Sequence, residues 1–226
     1  GGSIGPSPGA IEADAGDTTF GIADDKVRDA HRRLSSVLAE EGVDFIAIET
    51  QFSANEAAIA VDEARKHGLP ILVSMTYKYT KDRKTGEVIY KTDWGHSPAY
   101  LLDALASGEH SGGDNLLPFV NALGLNCGAE TRQTDHTGMP YAIEGTTQLA
   151  KALKERNIDG KTLVAYPNAG MPKLDKKMET VYSQSPEDMR ACLRKLVDTG
   201  VNFLGGCCGT GPDHIAAFRA TIDSNR

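Results

Sequence analysis

The sequence predicts a parallel α/β domain, and two observations carry that prediction. Short apolar runs (DFIAI, ILVSM, ALGLNC, TLVAYP and VNFLGG) alternate along the chain with longer segments of helical periodicity. The joins between these runs are too long for hairpins and hold helices, as parallel strands require. No linker-like break or internal repeat interrupts the alternation, so residues 1–226 read as one domain. Pattern alone leaves a doubly wound sheet and a (β/α)8 barrel both open. A complete barrel typically needs about 250 residues and eight units, and this chain falls about two units short.

The elements follow in order. Residues 1–4 are a stub of strand. Over 25–41, Val27, Ala30, Leu34, Val37 and Leu38 share one helical face, and Gly42 stops the helix. Val43 to Ile48 is a buried strand. Ser53 N-caps the next helix, with Glu56 three residues on to complete a capping box, and that helix ends at Gly68. Residues 71–77 form a strand, and 78–95 a loop or hairpin. Pro98 suits the first turn of a helix over 97–106. Residues 107–114 are a polar loop and 116–120 a helical turn. The strand ALGLNC ends at Cys127, a loop runs through Pro140, and a helix covers 142–156. Strand 162–167, a long loop, helix 186–198, strand 201–206 and a helix from Pro212 toward Ile222 complete the pattern.

Composition narrows the function. A net charge of −7 argues against a nucleic-acid or membrane-surface role. No apolar run approaches the roughly 18–20 residues of a membrane span, and no signal peptide is visible. The opening Gly1-Gly2-Ser3, without a methionine, suggests a processed or truncated chain. The chain has 4 cysteines, Cys127, Cys192, Cys207 and Cys208. Adjacent cysteines rarely bond each other, because the ring strains the peptide between them. A reducing, cytoplasmic setting follows, with thiols free or bound to metal.

The cysteines carry the chemistry. Cys127 ends one strand, and Cys207 with Cys208 ends another. The carboxyl ends of strands hold the active sites of parallel α/β folds, so three thiols are expected to converge. Three protein ligands with an open fourth position are the pattern of a catalytic zinc site, and thiolates select zinc over magnesium or calcium. Cys192, inside the helix MRACLRKLV, reads as a small hydrophobe.

GGCCGT at 205–210, with GLNCG at 124–128 upstream, resembles the homocysteine S-methyltransferase family. GSIGP at 2–6 resembles the loop after that family's third strand. DFIAIET at 44–50 resembles its fourth strand with a terminal Glu. YPNAGMP at 166–172 is similar to the cobalamin-dependent methionine synthase branch. The resemblance covers essentially the whole chain in motif order. It implies a TIM-type (β/α)8 barrel lacking its first two βα units. It also implies zinc on Cys127, Cys207 and Cys208, and methyl transfer to the thiol of homocysteine or a close analogue. Glu49 would hold the substrate ammonium, Asn168 would contact its amino-acid end, and Gly2 and Ser3 would line the same pocket. The donor stays open. PNAGMP leans toward a corrinoid or folate system delivered by another domain or protein, with a sulfonium compound or betaine as alternatives.

Two other classes stand beside this one. The missing units favour a non-catalytic or partner-dependent remnant that binds zinc or a thiol. A metal-free cysteine nucleophile ranks last, because no Cys–His pair stands at readable spacing. Residues 77–96 and 107–114 are long and polar, and read as solvated loops. Pocket cover or docking of a donor module is their alternative role. His96, His110 and His136 read as surface residues before ligands or bases, and Trp94, Tyr77 and Tyr79 as candidates for a pocket rim.

Overall fold

The computed structural model describes residues 1–128 and 136–224. The loop expected between Cys127 and Pro140 therefore lies partly outside the described residues. Six strands form one parallel sheet: β1 (Gly2–Ile4), β2 (Ile46–Gln51), β3 (Ile71–Met75), β6 (Val120–Cys127), β7 (Thr162–Pro167) and β10 (Val201–Leu204). Spatial order equals chain order, with each strand paired only to its sequence neighbours in the sheet. A doubly wound sheet would reverse direction at a switch point; this sheet progresses one way, as an arc of a barrel does. β1 and β10 are its two edges.

The crossovers are helical. α2 (Asp24–Glu40) joins β1 to β2, after a short α1 (Glu12–Ala15). α3 (Ala54–Ala64) follows β2 and ends in a 3₁₀ turn, Arg65–His67. The 78–95 segment is a hairpin of β4 (Lys78–Lys81) and β5 (Val88–Lys91), and α4 (Pro98–Ser107) follows it. α5 (Met139–Glu155), α6 (Pro186–Asp198) and α7 (Pro212–Asp223) complete the set. The long loop after β7 holds a second hairpin, β8 (Pro172–Leu174) with β9 (Thr180–Tyr182), which the sequence does not announce. No helix of the described residues is long and apolar enough to cross a membrane.

Period-2 alternation sorts the strands' side chains onto two faces. Ile46, Ile48, Ile71, Val73, Leu123, Leu125 and Ala165 join the large core under the helices. Ala47, Leu72, Ala122 and Val164 pack on the opposite, concave face with Phe45 and Tyr166. Phe203 of β10 meets both Phe45 and Tyr166 edge to face, at 6.4 and 5.9 Å between centroids. Aromatic contact thus spans the concave face between opposite ends of the sheet.

Several local expectations shift. β2 begins three residues later than the apolar run, because its pairing with β1 starts at Gly2 against Ile46. α2 buries Val27, His31 and Ser35, while Leu34 and Val37 stand exposed. Its inner face is chosen by polar pairing: His31 meets Glu56 of α3 at 3.0 Å, and the Ser35 hydroxyl donates to the His31 carbonyl. Ser53 caps α3 as expected, accepting from the Glu56 N–H at 3.0 Å, but the capping box does not form. The Glu56 carboxylate instead accepts from the Ser7 N–H and hydroxyl at 2.6 and 2.9 Å, which pins the 5–9 loop. Residues 107–114 connect a helix to the start of β6. They lie at the amino end of the sheet, opposite Cys127, and cannot cover a site built at the carboxyl end.

Candidate metal centre

Cys127, Cys207 and Cys208 converge. Their sulfurs are the one His/Cys/Asp/Glu group of metal-ligand spacing among the described residues. The Sγ–Sγ distances are 3.0 Å for Cys127–Cys207, 3.8 Å for Cys127–Cys208 and 3.9 Å for Cys207–Cys208. A tetrahedral ion with ligands at about 2.3 Å sets its sulfurs about 3.8 Å apart. Two edges of the triangle already meet that value, and the third needs to open by under an ångström. Cys208 is exposed, so the trio keeps an open side for a fourth ligand. The donor set and its geometry fit a thiophilic ion such as zinc.

The backbone explains the convergence. Cys127 has φ 52° and Gly128 φ 61°, so two successive left-handed residues turn the chain off the end of β6. A Cβ on Gly128 would sit 2.1 Å from the Tyr141 ring, so only glycine fits. The other two thiols are laced to the end of β7. The Cys207 N–H donates to the Pro167 carbonyl at 2.9 Å, and the Cys208 N–H donates to Asn168 Oδ1 at 3.0 Å. The Ala169 N–H returns a bond to the Cys208 carbonyl at 2.9 Å. Gly209 has φ 80° and lies flat under the Tyr182 ring of β9.

Asn126, buried next to Cys127, ties the ends of β2 and β3 to β6. Its Oδ1 accepts from the Thr50 N–H at 2.9 Å and the Ser74 hydroxyl at 2.8 Å. Its Nδ2 donates to Thr50 Oγ1 at 2.7 Å and toward the Cys207 sulfur at 3.7 Å. Thr50 itself has φ 59°, a rare setting for a β-branched residue. Sequence reasoning missed Asn126, although a lone amide inside an apolar strand is a signal: it must find partners there.

These contacts sort the protons. Donation from the Cys127 thiol, helped by Asn126 and the Cys208 N–H, brings the Cys207 thiol down to about 6 against the opposing effect of burial. Cys127 is pushed far up, as the donor to Cys207 and by burial. Burial, then the neighbouring Cys208 thiol, raises the Tyr182 phenol.

The remaining expected residues divide between two places. Ser3 donates a hydrogen bond to Glu49 Oε1, and Glu49 also helps hold the Tyr166 phenol in its protonated form, behind the larger effect of burial. These three stand on the concave face. Gly2 turns the other way: a Cβ there would strike Leu38 of α2 at 2.7 Å, so of the first two residues in the motif only Ser3 presents a side chain inward. Asn168 lines a cavity of about 240 Å³ together with Cys127, Cys208, Thr50, Tyr77 and Tyr182. Lys78 and Asp93, paired at 2.6 Å, complete its charged lining, whereas Glu49 is not among its lining residues.

Of the histidines expected at the surface, His96 is instead buried, and His96 and His136 take structural posts. His96 is buried, accepts from the Ala54 N–H at 3.0 Å through Nδ1, and stacks on Tyr100. His136 Nδ1 meets the Tyr90 hydroxyl at 3.0 Å, and its ring lies against Tyr79. The His110 carbonyl accepts from Arg28. Tyr77 joins the cavity lining, Trp94 borders a neighbouring hollow beside Phe52 and Asp93, and Cys192 packs against the helical core.

Comparison with known proteins gives a consistent picture. The family model described as homocysteine S-methyltransferase matches residues 1–222. A curated relative from Arabidopsis thaliana, homocysteine S-methyltransferase 3, is 30% identical over 205 residues, covering 89% of this chain and 50% of the relative. Methionine synthase of Mycobacterium leprae is 26% identical over 230 residues, covering 98% of this chain and 16% of that protein. Among solved structures, the apo form of the homocysteine methyltransferase MmuM from Escherichia coli superposes with a TM-score of 0.59 at 22% identity, over 97% of this chain and 61% of that one. The chain thus spans about half the length of the plant relative it matches.

Proposed function

The chain belongs to the homocysteine S-methyltransferase family, and from that premise we propose that it is the zinc-binding part of a methyltransferase acting on the thiol of homocysteine or a close analogue. The single observation that carries the reading is the convergence of three thiols within 3.0–3.9 Å at the carboxyl end of a parallel sheet. The six-strand arc, read as part of a (β/α)8 barrel lacking two units, supports the same assignment, with residues 1–226 as one domain.

Cys127, Cys207 and Cys208 would hold the ion. When bound, zinc supplies a Lewis acid that favours the thiolate of an incoming substrate at neutral pH. The chain's own residues do the rest. Asn126 and Asn168 fix the ligating strand ends through Thr50, Ser74 and the Cys208 N–H. Glu49, oriented by Ser3, is the anion for the substrate ammonium. Phe52, Met171, Pro172 and Tyr182 give the cavity apolar walls that limit water at the sulfur. Held there, the sulfur attacks the donor's methyl carbon in line. The carbon–sulfur bond forms as the carbon–donor bond breaks, and the leaving group departs with that electron pair. Positioning is the main contribution of the protein to such a displacement.

The donor is a folate or corrinoid system presented by another domain or protein, in keeping with the PNAGMP segment; a sulfonium compound or betaine is the alternative. The test is to load the chain with zinc, supply homocysteine with each donor in turn, and measure methylated product by mass spectrometry. Product from one donor, lost in Cys208→Ser, supports the reading. Zinc and homocysteine binding without turnover from any donor would favour the second reading, a partner-dependent remnant. The two unpaired sheet edges are the observation on its side.

A further inference from the structure

Two buried histidines outside the thiol site each face a carboxylate, and one of them, His96, has two places to go. His96 closes the turn 92–96: its N–H donates to Thr92 Oγ1 at 3.2 Å, and its carbonyl accepts from the Thr92 N–H at 2.9 Å. The turn carries Asp93, which lines both the thiol cavity and the hollow beside it, and Trp94, which lines the hollow. The ring of His96 pins this turn to α3, because Nδ1 accepts from the Ala54 N–H at 3.0 Å. An accepting Nδ1 puts the one ring proton on Nε2. Nε2 stands 3.7 Å from Asp14 Oδ1 of α1, too far for a hydrogen bond. Asp14 is the second place. Its side chain is 1% exposed, Asn55 donates to Oδ1 at 2.8 Å, and Oδ2 has no hydrogen-bond partner among the described residues.

Protonation forces a choice. A charged ring has donors at both nitrogens, so Nδ1–H and the Ala54 N–H would point at each other. We propose that His96 is a proton-driven latch: neutral, it holds the 92–96 turn on α3, and charged, it lets go of Ala54 and closes on Asp14. Closing from 3.7 Å to the about 2.8 Å of a charge-assisted bond carries the ring toward α1. The turn follows the ring, so Asp93 and Trp94 shift at the walls they form. α3 keeps its own cap, since the Ser53 hydroxyl serves the Glu56 N–H. The other groups around the ring are already committed. Tyr100 of α4 stacks on it at 4.2 Å, Asp93 of its own turn pairs with Lys78 at 2.6 Å, and Glu56 of α3 is taken by Ser7 and His31. Burial opposes the charged ring and Asp14 favours it. Burial has the larger effect, which puts the changeover below the usual histidine value.

The chain carries its own reporter. Trp94 is its one tryptophan, is 42% exposed and lies two residues from His96. The experiment follows tryptophan emission of the full chain from about pH 8 to about pH 4.5, across the histidine range. Far-UV circular dichroism, recorded alongside, marks any unfolding. Wild type is expected to show one emission shift with a midpoint below about pH 6.5 while the dichroism stays unchanged. His96→Asn keeps an acceptor for the Ala54 N–H and cannot titrate, so it should lose the shift. Asp14→Asn keeps the shape of the side chain and removes its charge. Its midpoint should fall by on the order of one pH unit, because the charged ring loses its anion. A shift that survives His96→Asn would belong to the other pair, His31 with Glu56, and overturns the latch. An unmoved midpoint in Asp14→Asn would deny Asp14 the ring and overturns it too. So does a wild type whose emission moves only where the dichroism falls, because the turn would then hold until the chain unfolds.

Discussion

The amide of Asn126 grips Thr50 at both its N–H and its hydroxyl, at 2.9 and 2.7 Å, across the end of the sheet. The grip holds Thr50 at φ 59° and fixes the strand ends between which the thiols lie. Asn126→Ala removes it and leaves the buried Ser74 hydroxyl and the half-buried Thr50 N–H without a partner. Each such orphan costs about 1–3 kcal/mol, so the variant should lose about 2 kcal/mol or more in urea unfolding. Zinc affinity should fall too, because Asn126 also reaches the Cys207 sulfur. A variant that unfolds with wild-type stability would show that Thr50 holds its conformation unaided.

The second prediction concerns the metal itself. Purified wild type should carry about one zinc per chain, and Cys208→Ser nearly none after gel filtration. Because the ion binds the folded chain, adding zinc should raise the melting temperature of the wild type with concentration and leave the variant unmoved. Elemental mass spectrometry and a thermal scan read both. Retention of stoichiometric zinc in Cys208→Ser would mean that the trio is not the ligand set.

What the sequence made legible here, and what it did not, divides by range. The convergence of Cys127 with Cys207 and Cys208 could be foreseen because each thiol ends an apolar run, and strand ends of a parallel sheet share one side. The cap of α3 by Ser53 is likewise a three-residue affair. Glu56 shows where such reasoning stops: its local partner loses to Ser7, a residue 49 positions away. The inner face of α2 is set by the same carboxylate through His31, so a count of apolar residues selects Leu34 and Val37 wrongly. The β8–β9 hairpin is built from largely exposed three-residue strands, too short to show a periodicity. It is held by the sites it covers, the Gly209 surface among them.

A pH dependence follows from His96. Its Nδ1 accepts the Ala54 N–H at the start of α3, which requires the neutral ring. Burial lowers its pKa below the usual histidine value of 6.5, with Asp14 opposing. Between the folded and unfolded values the unfolded chain binds the extra proton, so stability rises with pH through that window. The contribution is complete above about pH 6.5 and is lost as pH falls below it. Urea midpoints at several pH values, set beside those of His96→Asn, should show the wild type losing more stability on acidification. The asparagine keeps an acceptor for the Ala54 N–H and cannot titrate, so parallel curves for the two proteins would contradict the assignment.

The last prediction separates two demands made on Gly209. Its φ of 80° favours glycine by about 1 kcal/mol. Its α-carbon also lies under the Tyr182 ring, where a Cβ would sit 2.2 Å from the nearest ring atom. Gly209→Ala should therefore cost about 2 kcal/mol or more, beyond the backbone effect alone. Removing the ring as well, in the Gly209→Ala, Tyr182→Ala double variant, should recover the steric part and leave the backbone part. The two changes would then be coupled, with the double variant less destabilised than the sum of the singles. Zinc content should track the same order, because Cys208 precedes Gly209 in the turn that the ring covers. Additive costs would place the whole penalty in the backbone and release Tyr182 from any part in shaping the thiol site.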